Sequence, residues 1–275
     1  MLADGVCCGP PTTLYWGGQL ANKGRLVVCG RFILTGTWAD ISEYYELVAS
    51  VNEEALGTAT MVDRYNIAPT QPIIMITMDG TQRTARLVRW GLVPSWVKDP
   101  GKFTLLINAR SETAHEKPSF RSAMRHRRCI IPATGFYEWH REGNVRTPYY
   151  VRPAAGRYVA FAGLWEGWMD DQGSEIESAA ILTGEAEGEF RTIHHRLPMV
   201  IEADDIERWL SSETTVAEAR ALLKHPDPGF WEWDEVDSKV NKVGNDGPEN
   251  IRPVADEKTR PSEESEPSDS QLSLL

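Results

Sequence analysis

Residues 129–139 have the sequence CIIPATGFYEW, and this stretch is the strongest indication of how the chain folds. Two short runs, residues 129–132 and 136–139, combine apolar, β-branched and aromatic side chains on either side of Ala-Thr-Gly. Short runs of this composition between turn-forming residues are typical of β-strands. Similar runs occur on both sides of this stretch, at residues 73–78, 85–90, 149–152, 158–164 and 179–183.

The helices are predicted to be few and short. Thr37 and Asp40 resemble a capping box, and apolar residues follow them at helical spacing. Further short helices are predicted at residues 119–126, 203–210 and 216–223. The predicted fold class is therefore α+β, with a single mixed, largely antiparallel, pseudo-barrel-like β-sheet domain and a few short helices.

Composition indicates an ordinary globular chain. Of the 275 residues, 41% are hydrophobic and 25% are charged, and no apolar run is long enough to cross a bilayer. The first residues lack the basic and apolar regions of a secretory signal. The cysteines have no metal-ligand spacing and are too few for a disulfide scaffold: Cys7, Cys8, Cys29 and Cys129. We expect a cytoplasmic protein with no metal, no cofactor and no membrane partner.

The charge is unevenly distributed along the chain. The formal net charge is −11, which by itself disfavours a nucleic-acid partner. Residues 83–128, however, hold eleven Lys or Arg against Asp99, Glu112 and Glu116, a local net charge of +8. Such a segment can form a basic patch that captures a polyanion. The alternative is that it forms a solvated surface with no partner.

The chain divides into three parts. Residues 1–28 are rich in glycine and show no periodicity, so we expect them to be a non-native leader or a propeptide. A misplaced start codon fits, because Val28 can be encoded by the start codon GTG and directly precedes Cys29. Residues 29–253 are expected to form the folded domain. Residues 254–275 are rich in Glu, Ser and Pro and are predicted to be a disordered acidic tail.

Cys29 is the first candidate for chemistry. A lone cysteine is usually a small buried hydrophobic residue, the role that we expect for Cys129 in its apolar run. Removal of the preceding residues would give Cys29 a free α-amine, with a pKa of about 7.7–8.0, beside its thiol. An amine and a thiol in this arrangement suit an aldehyde. The amine forms a Schiff base, and the thiol then closes a five-membered thiazolidine ring.

Asn108 and Glu138 are candidates because of their neighbours. Asn108 lies two residues before Arg110, so an extended strand would place the amide and the guanidinium on the same side. The alternative is a turn with a surface arginine. Glu138 lies between aromatic residues, which would raise its pKa and suit general acid–base catalysis. The alternative is an outward-facing glutamate on a strand.

The pair His194 and His195 is the last candidate. A histidine titrates near neutral pH and can move protons during the opening of a sugar ring. Adjacent histidines also raise the possibility of a metal site. On a strand the two side chains would point in opposite directions, and the sequence offers no evident third ligand, so a metal is disfavoured.

A series of short motifs runs through the chain from Cys29 to about residue 253. They are CGRF at 29–32, RYNIAPTQ at 64–71, RWGLVPSW at 89–96, INARSET at 107–113, KPSFR at 117–121, RRCIIPA at 127–133, GFYEW at 135–139, FAGLWE at 161–166 and HHRLP at 194–198. In this order they resemble the SRAP family (SOS response-associated peptidases, also described as abasic-site shields).

The resemblance implies a reaction and the residues that perform it. An amino-terminal Cys29 would form a thiazolidine crosslink with the aldehyde of an abasic site in single-stranded DNA, protecting or processing the damage. Asn108 would position the amine or the opened sugar, and Glu138 would shuttle protons. His194 would help to open the deoxyribose and assist AP-lyase cleavage. The resemblance also implies autoproteolytic removal of the residues before Cys29, and we expect a monomer that is nucleoid-associated when bound to DNA.

The resemblance also implies a set of DNA contacts. Arg31, Arg110 and Arg196 would bind phosphates. Trp90 and Trp139 would provide surfaces that stack on bases or wedge the strand.

The family pattern has two departures in this chain. His195 stands where the family usually has Asp, which makes strand cleavage less certain than crosslinking, and Leu197 stands where it usually has Met. Two other functions stay open. Cys29, His194 and Asn108 could form a thiol peptidase that acts on other proteins. The basic segment and the ten Trp would also permit a non-catalytic single-strand binder.

Overall fold

The computed structural model describes residues 29–50 and 63–255. The predicted leader and, apart from its first two residues, the predicted acidic tail lie outside the described residues. The described residues form fourteen strands: β1 (Arg31–Leu34), β2 (Leu47–Ser50), β3 (Arg64–Ile67), β4 (Pro72–Asp79), β5 (Gln82–Trp90), β6 (Asn108–Arg110), β7 (Arg128–Ala133), β8 (Gly135–Glu142), β9 (Val145–Pro153), β10 (Val159–Met169), β11 (Glu175–Glu185), β12 (Arg196–Pro198), β13 (Val200–Ile201) and β14 (Trp231–Glu235).

The helical elements of the described residues are all short. The α-helices are Trp38–Tyr44, Arg121–His126, Ile206–Leu210 and Val216–Leu222, and the 3-10 helices are Gly188–Thr192, Ala203–Asp205, Ser238–Asn241 and Pro248–Ile251. No helix in the described part of the chain is both long and apolar enough to cross a membrane.

Five strands close into a barrel-like ring. They run in the antiparallel order β11-β10-β7-β4-β5, and β5 then pairs with β11 in parallel to complete the circuit. The short strands β2, β6, β12 and β13 extend the edges of this sheet. The predicted class, a largely antiparallel, pseudo-barrel-like α+β fold with few helices, is confirmed. The described strands divide between this sheet and a second one.

The second sheet is antiparallel and has the strand order β14-β9-β8-β1-β3. Aromatic rings from the two sheets meet edge to face. Phe32 on β1 lies 5.1 Å from Trp90 of the barrel, and Phe136 on β8 lies 6.1 Å from Phe161, measured between ring centroids. Such pairs stabilise the core beyond the area that they bury. This core fixes where β1 and β8 lie relative to the barrel.

The predicted helices are present with shifted bounds. The Thr37–Asp40 capping box is formed in both directions at the start of Trp38–Tyr44. A second capping box, between Thr215 and Glu218, begins Val216–Leu222. The predicted helix at 203–210 is a 3-10 turn followed by an α-helix, and the one at 119–126 begins at Arg121, where no side chain caps it. Local caps therefore determine these bounds better than apolar periodicity does.

The fold uses part of the basic segment internally. Arg83, Arg86 and Arg127 form salt bridges with carboxylates outside the segment. Arg128 is buried, and its guanidinium donates hydrogen bonds to five backbone carbonyls: those of Met124, Arg125, Trp209, Ser211 and Thr214. The Arg128 guanidinium therefore binds carbonyl groups at or near the C-terminal ends of both helices, Arg121–His126 and Ile206–Leu210. The charge of +8 overstates the positive charge that is available to a partner.

We expect Arg128→Lys to destabilise the fold, because an ammonium group has three donors and cannot reach five separate carbonyls. The free energy of unfolding should fall by about 2–4 kcal/mol, measured by urea denaturation. Arg125→Lys, at an exposed position on the neighbouring helix, is the control and should change stability by less than about 0.5 kcal/mol. Equally small effects of the two substitutions would contradict this role for Arg128.

Candidate active site

The pairing of β1 with β8 brings Cys29 next to Glu138. In this antiparallel ladder Arg31 lies opposite Tyr137, so the chain that precedes β1, Gly30 and then Cys29, continues toward Glu138 and Trp139 of β8. The backbone nitrogen of Cys29 donates a hydrogen bond to Oε2 of Glu138 at 3.0 Å, across 109 positions of sequence. The predicted nucleophile and the predicted proton carrier are therefore in direct contact.

Glu138 is a buried carboxyl group, only 2% exposed. Burial raises its pKa from 4.5 to about 7, because a charged carboxylate is poorly solvated there. The backbone N–H groups of Cys29 and Trp139 and the charge of Arg146 act in the opposite direction, since they favour the ionised form. The carboxyl group is therefore present in both protonation states near neutral pH, as a group that both accepts and donates protons requires.

The Cys29 thiol is fully buried. Burial, and to a lesser extent the charge of Glu138, raises the pKa of this thiol well above its ordinary value. The thiol is therefore protonated at neutral pH. The catalytic cysteine of a thiol peptidase instead has a lowered pKa and a cationic neighbour. This environment disfavours the thiol-peptidase hypothesis and fits a thiol that reacts after a neighbouring group has formed an electrophile.

His194 is a buried, neutral histidine. Burial lowers its pKa to about 4, and the charges of His195, Arg196 and Arg141 add to this effect, although a backbone hydrogen bond to Arg196 opposes it. Its Nδ1 lies 3.1 Å from the Arg196 N–H, from which it can accept, and 3.4 Å from the Arg196 carbonyl oxygen, to which it can donate in the other tautomer. His195 is exposed and its ring lies 4.3 Å away. In the part of the chain that the structure describes, no three His, Cys, Asp or Glu side chains are grouped as metal ligands.

Asn108 and Arg110 lie on a strand. β6 pairs in parallel with β11, which places Asn108 opposite Ile181 and Arg110 opposite Thr183. The backbone is extended, so side chains two residues apart point to the same side of the sheet. Asn108 is half-buried and Arg110 is exposed. The segment from Asn108 to Arg110 is therefore a strand and not a turn.

Two of the predicted DNA contacts are part of the protein core instead. Trp90 is 0% exposed, packs against Phe32 and donates from Nε1 to the Ile107 carbonyl, so it has no ring face to offer to a base. Arg196 is buried, and its guanidinium bonds to Thr183 and forms a 2.9 Å ion pair with Glu112. Burial of the Trp90 ring disfavours its stacking role, which stays a prediction. The guanidinium of Arg196 is occupied by partners within the protein.

Arg31 and Trp139 are partly exposed and lie on the same side of the second sheet. The Arg31 guanidinium donates to the Asn66 side chain at 2.8 Å and to the carbonyls of Val240 and Asn241. Trp139 donates from Nε1 to the Asn241 side chain at 2.7 Å. Both residues therefore anchor the segment around Asn241, and their predicted contacts with DNA stay predictions.

Asn66 organises this region, although the sequence analysis assigned it no role. It is fully buried, and its amide donates to the carbonyls of Val240, Lys242 and Asn245 while its carbonyl accepts from Arg31. An asparagine within RYNIAPTQ carries no chemical signal of its own. The only sequence signal for Asn66 is that it lies within RYNIAPTQ at 64–71, one of the motifs that resemble the family.

The comparisons with known proteins agree with this geometry. The family described as SOS response associated peptidase (SRAP) matches residues 28–243. The protein belongs to the SRAP family. One SRAP relative, the abasic site processing protein YoqW of Bacillus subtilis (strain 168), is 35% identical over 226 residues, covering 82% of this chain and 99% of the relative.

Other relatives extend the comparison across organisms. The abasic site processing protein YedK of Escherichia coli (strain K12) is 30% identical over 231 residues, covering 82% of this chain and 100% of its own length. Among solved structures, a protein from Bacteroides thetaiotaomicron matches with a TM-score of 0.73 and 27% identity, covering 82% of this chain and 100% of that one. Sequence similarity to these relatives and structural similarity to the solved structure thus extend over most of this chain.

The raised pKa of Glu138 predicts a pH-dependent stability. Its contribution is fully present below about pH 4.5 and is lost as pH rises through about 7, because only the unfolded chain ionises freely in that range. Relative to Glu138→Gln, the wild-type free energy of unfolding should fall by about 3 kcal/mol between about pH 4 and pH 8. Denaturant unfolding of both proteins across this range measures the difference. A constant difference at all pH values would contradict the raised pKa.

Proposed function

We propose that this protein, with Cys29 as its amino-terminal residue, forms a thiazolidine crosslink with abasic sites in single-stranded DNA. One observation carries the proposal. The nitrogen that would become the α-amine lies 3.0 Å from a carboxyl group with a pKa of about 7. The names of the relatives support the choice of substrate, since YoqW and YedK are both called abasic site processing proteins.

The reaction consumes one aldehyde, one amine and one thiol and releases one water. The neutral amine of Cys29 attacks the aldehyde carbon, and the protonated Glu138 donates to the departing hydroxyl as the Schiff base forms. The Cys29 thiol then adds to the C=N carbon, and its proton passes through Glu138 to the ring nitrogen. A carboxyl group that is half ionised near neutral pH can perform both transfers without an external acid or base.

Asn108 and His194 act on the sugar in this proposal. The Asn108 amide orients the amine or the opened deoxyribose from β6. His194 is neutral, and in the tautomer that donates from Nδ1 to the Arg196 carbonyl its free Nε2 assists opening of the ring and abstracts the proton that begins β-elimination in the AP-lyase reaction. Its exposed neighbour His195 supplies no carboxylate to hold that proton, so we expect lyase activity to be weaker than crosslinking.

Crosslinking requires that the peptide bond before Cys29 be absent or cut. With residues 1–28 attached, the nitrogen next to Glu138 is an amide and cannot form a Schiff base. Cys29 has a φ of 44°, in the left-handed region that costs a non-glycine residue about 1–3 kcal/mol. An amino-terminal residue has no φ restraint, so cleavage would relieve this strain. We therefore propose that a working protein begins at Cys29, through its start site or through self-directed peptidase activity.

The proposed DNA surface uses the exposed members of the predicted set. Arg110 is exposed on β6 and Trp139 is partly exposed on β8, so both have atoms available to a strand. Arg31 keeps part of its surface accessible beside Trp139. We propose a monomer that acts in the cytoplasm and associates with the nucleoid when it is bound to DNA.

The proposal predicts a covalent adduct that depends on the start of the chain. Two proteins, one beginning at Cys29 and one at Met1, are mixed with single-stranded DNA that carries one abasic site and run on a denaturing gel. We expect an adduct with the first protein. An adduct with the second is expected only if intact mass shows that residues 1–28 have been removed. The absence of an adduct with both proteins would refute the proposed crosslinking.

Matched variants identify the reacting groups. Cys29→Ala should abolish the adduct, whereas Cys129→Ala, which changes the other fully buried cysteine among the described residues, should leave it intact. Glu138→Gln should slow adduct formation by about 100-fold or more, since the amide cannot transfer protons. Equal adduct formation by the Cys29→Ala protein would exclude the mechanism.

Arg110→Ala should weaken non-covalent binding to single-stranded DNA. Loss of one phosphate contact should also reduce the slope of log affinity against log salt by about 0.7. Fluorescence anisotropy at several salt concentrations measures both effects. Arg208→Ala removes an exposed arginine from a different element and serves as the control. Equal effects of the two variants would show that Arg110 acts only through net charge.

A further inference from the structure

The hairpin of β8 and β9 places two arginines directly opposite each other. The strands are joined by a two-residue turn at 143–144, in which Gly143 has a φ of 57°, a conformation that favours glycine. This turn fixes the register, and in that register Arg141 lies opposite Arg146. Both side chains are exposed. The pairing therefore holds two positive charges together at the tip of the hairpin.

Like charges at directly opposed positions destabilise an antiparallel pair. Neither the Arg141 nor the Arg146 guanidinium group forms a salt bridge or hydrogen bond with another described residue, although that of Arg146 lies over the Trp139 ring. On the same strand, by contrast, Arg152 is paired with Asp234 at 2.6 Å and with Glu232 at 3.5 Å. The sheet thus gives one arginine of β9 carboxylate partners in contact and leaves the pair at the tip without a salt bridge among the described residues. An anion between the two guanidinium groups would remove this repulsion.

The arginine pair lies within electrostatic reach of the candidate active site. The Arg146 guanidinium lies over the Trp139 ring, 5.7 Å from its centroid, and Trp139 directly follows Glu138. The charge of Glu138 acts on the pKa of Arg146, and the charge of Arg141 contributes to the lowered pKa of His194. The charges of the arginine pair therefore act on both proton-transferring side chains.

We propose that Arg141 and Arg146 form a binding site for one backbone phosphate adjacent to the abasic nucleotide. Two guanidinium groups can bind the oxygens of a phosphodiester through paired N–H donors, which an ammonium group cannot reproduce. The Trp139 ring beneath Arg146 restricts that side chain and offers a face for the neighbouring base. The identity of the ligand rests on the proposed function, whereas the anion site itself rests on the geometry of the hairpin.

The test uses the full chain and single-stranded DNA that carries a tetrahydrofuran analogue of the abasic site. The analogue has no aldehyde, so binding is measured without crosslinking. The double variant Arg141→Gln with Arg146→Gln should bind about tenfold or more weakly, with a salt slope reduced by about 0.7 for the one phosphate that is lost. The matched control, Arg208→Gln with Arg220→Gln, removes two exposed arginines from helices and should change affinity less than about twofold.

A second measurement identifies the phosphate. Each phosphate beside the analogue is replaced in turn by an uncharged methylphosphonate. At one of the two positions the replacement should weaken the wild type about as much as the double substitution does, and it should weaken the double variant no further. Equal losses for the wild type and the variant at both positions would overturn the proposal, as would wild-type affinity and salt slope in the double variant.

The two proposals fail in different ways. A protein that forms no adduct but shows this phosphate dependence would refute the crosslinking function and keep the anion site. If the protein forms the adduct but binds the analogue equally well with and without Arg141 and Arg146, the crosslinking function is kept and the anion site is refuted. Equal melting temperatures of the wild type and the double variant establish that both proteins are folded.

Discussion

The hydrogen bond between the Cys29 nitrogen and Glu138 depends on how β1 is held. β1 lies between β8 and β3 in the second sheet, and Phe32 anchors it against Trp90 of the barrel. The ladder with β8 fixes the position of Cys29 to within one residue, since a shift of one position would turn every side chain to the other face. The aromatic core between the sheets is therefore what places a nitrogen within 3.0 Å of a buried carboxyl group.

Burial acts on the three candidate catalytic groups in one consistent direction, toward the uncharged form. It raises the pKa of the Cys29 thiol, raises that of Glu138 to about 7 and lowers that of His194 to about 4. These three groups thus carry little charge near neutral pH. Condensation of an amine with an aldehyde needs a neutral amine and a proton donor, whereas peptide hydrolysis by a cysteine needs a thiolate. The electrostatics of this site favour the first reaction.

Local patterns predicted what depends on neighbours in sequence. The capping box at Thr37 and the strands around CIIPATGFYEW needed no tertiary information, whereas the choice between a strand and a turn at Asn108 is made by the pairing of β6 with β11. The environments of Trp90 and Arg196, by contrast, depend on tertiary structure. A tryptophan that fills a core and one that stacks on a base cannot be told apart from sequence composition. Trp90 is buried where β5 pairs with β11 and Phe32 of the second sheet packs on its ring. The resemblance to the family identified candidate residues, but it could not show which of their side chains are buried or paired within the folded protein.

The same distinction governs the arginines. Arg128 supports helix ends and Arg127 pairs with Glu166, so neither guanidinium is available to a polyanion without loss of structure. An arginine contributes to DNA binding only when the folded protein leaves it without a carboxylate partner and exposed. Arg141 and Arg146 meet this condition, although they lie outside the basic segment. Because the protein is acidic overall, with a net charge of −11, the position of such uncompensated pairs decides where a phosphate backbone can approach.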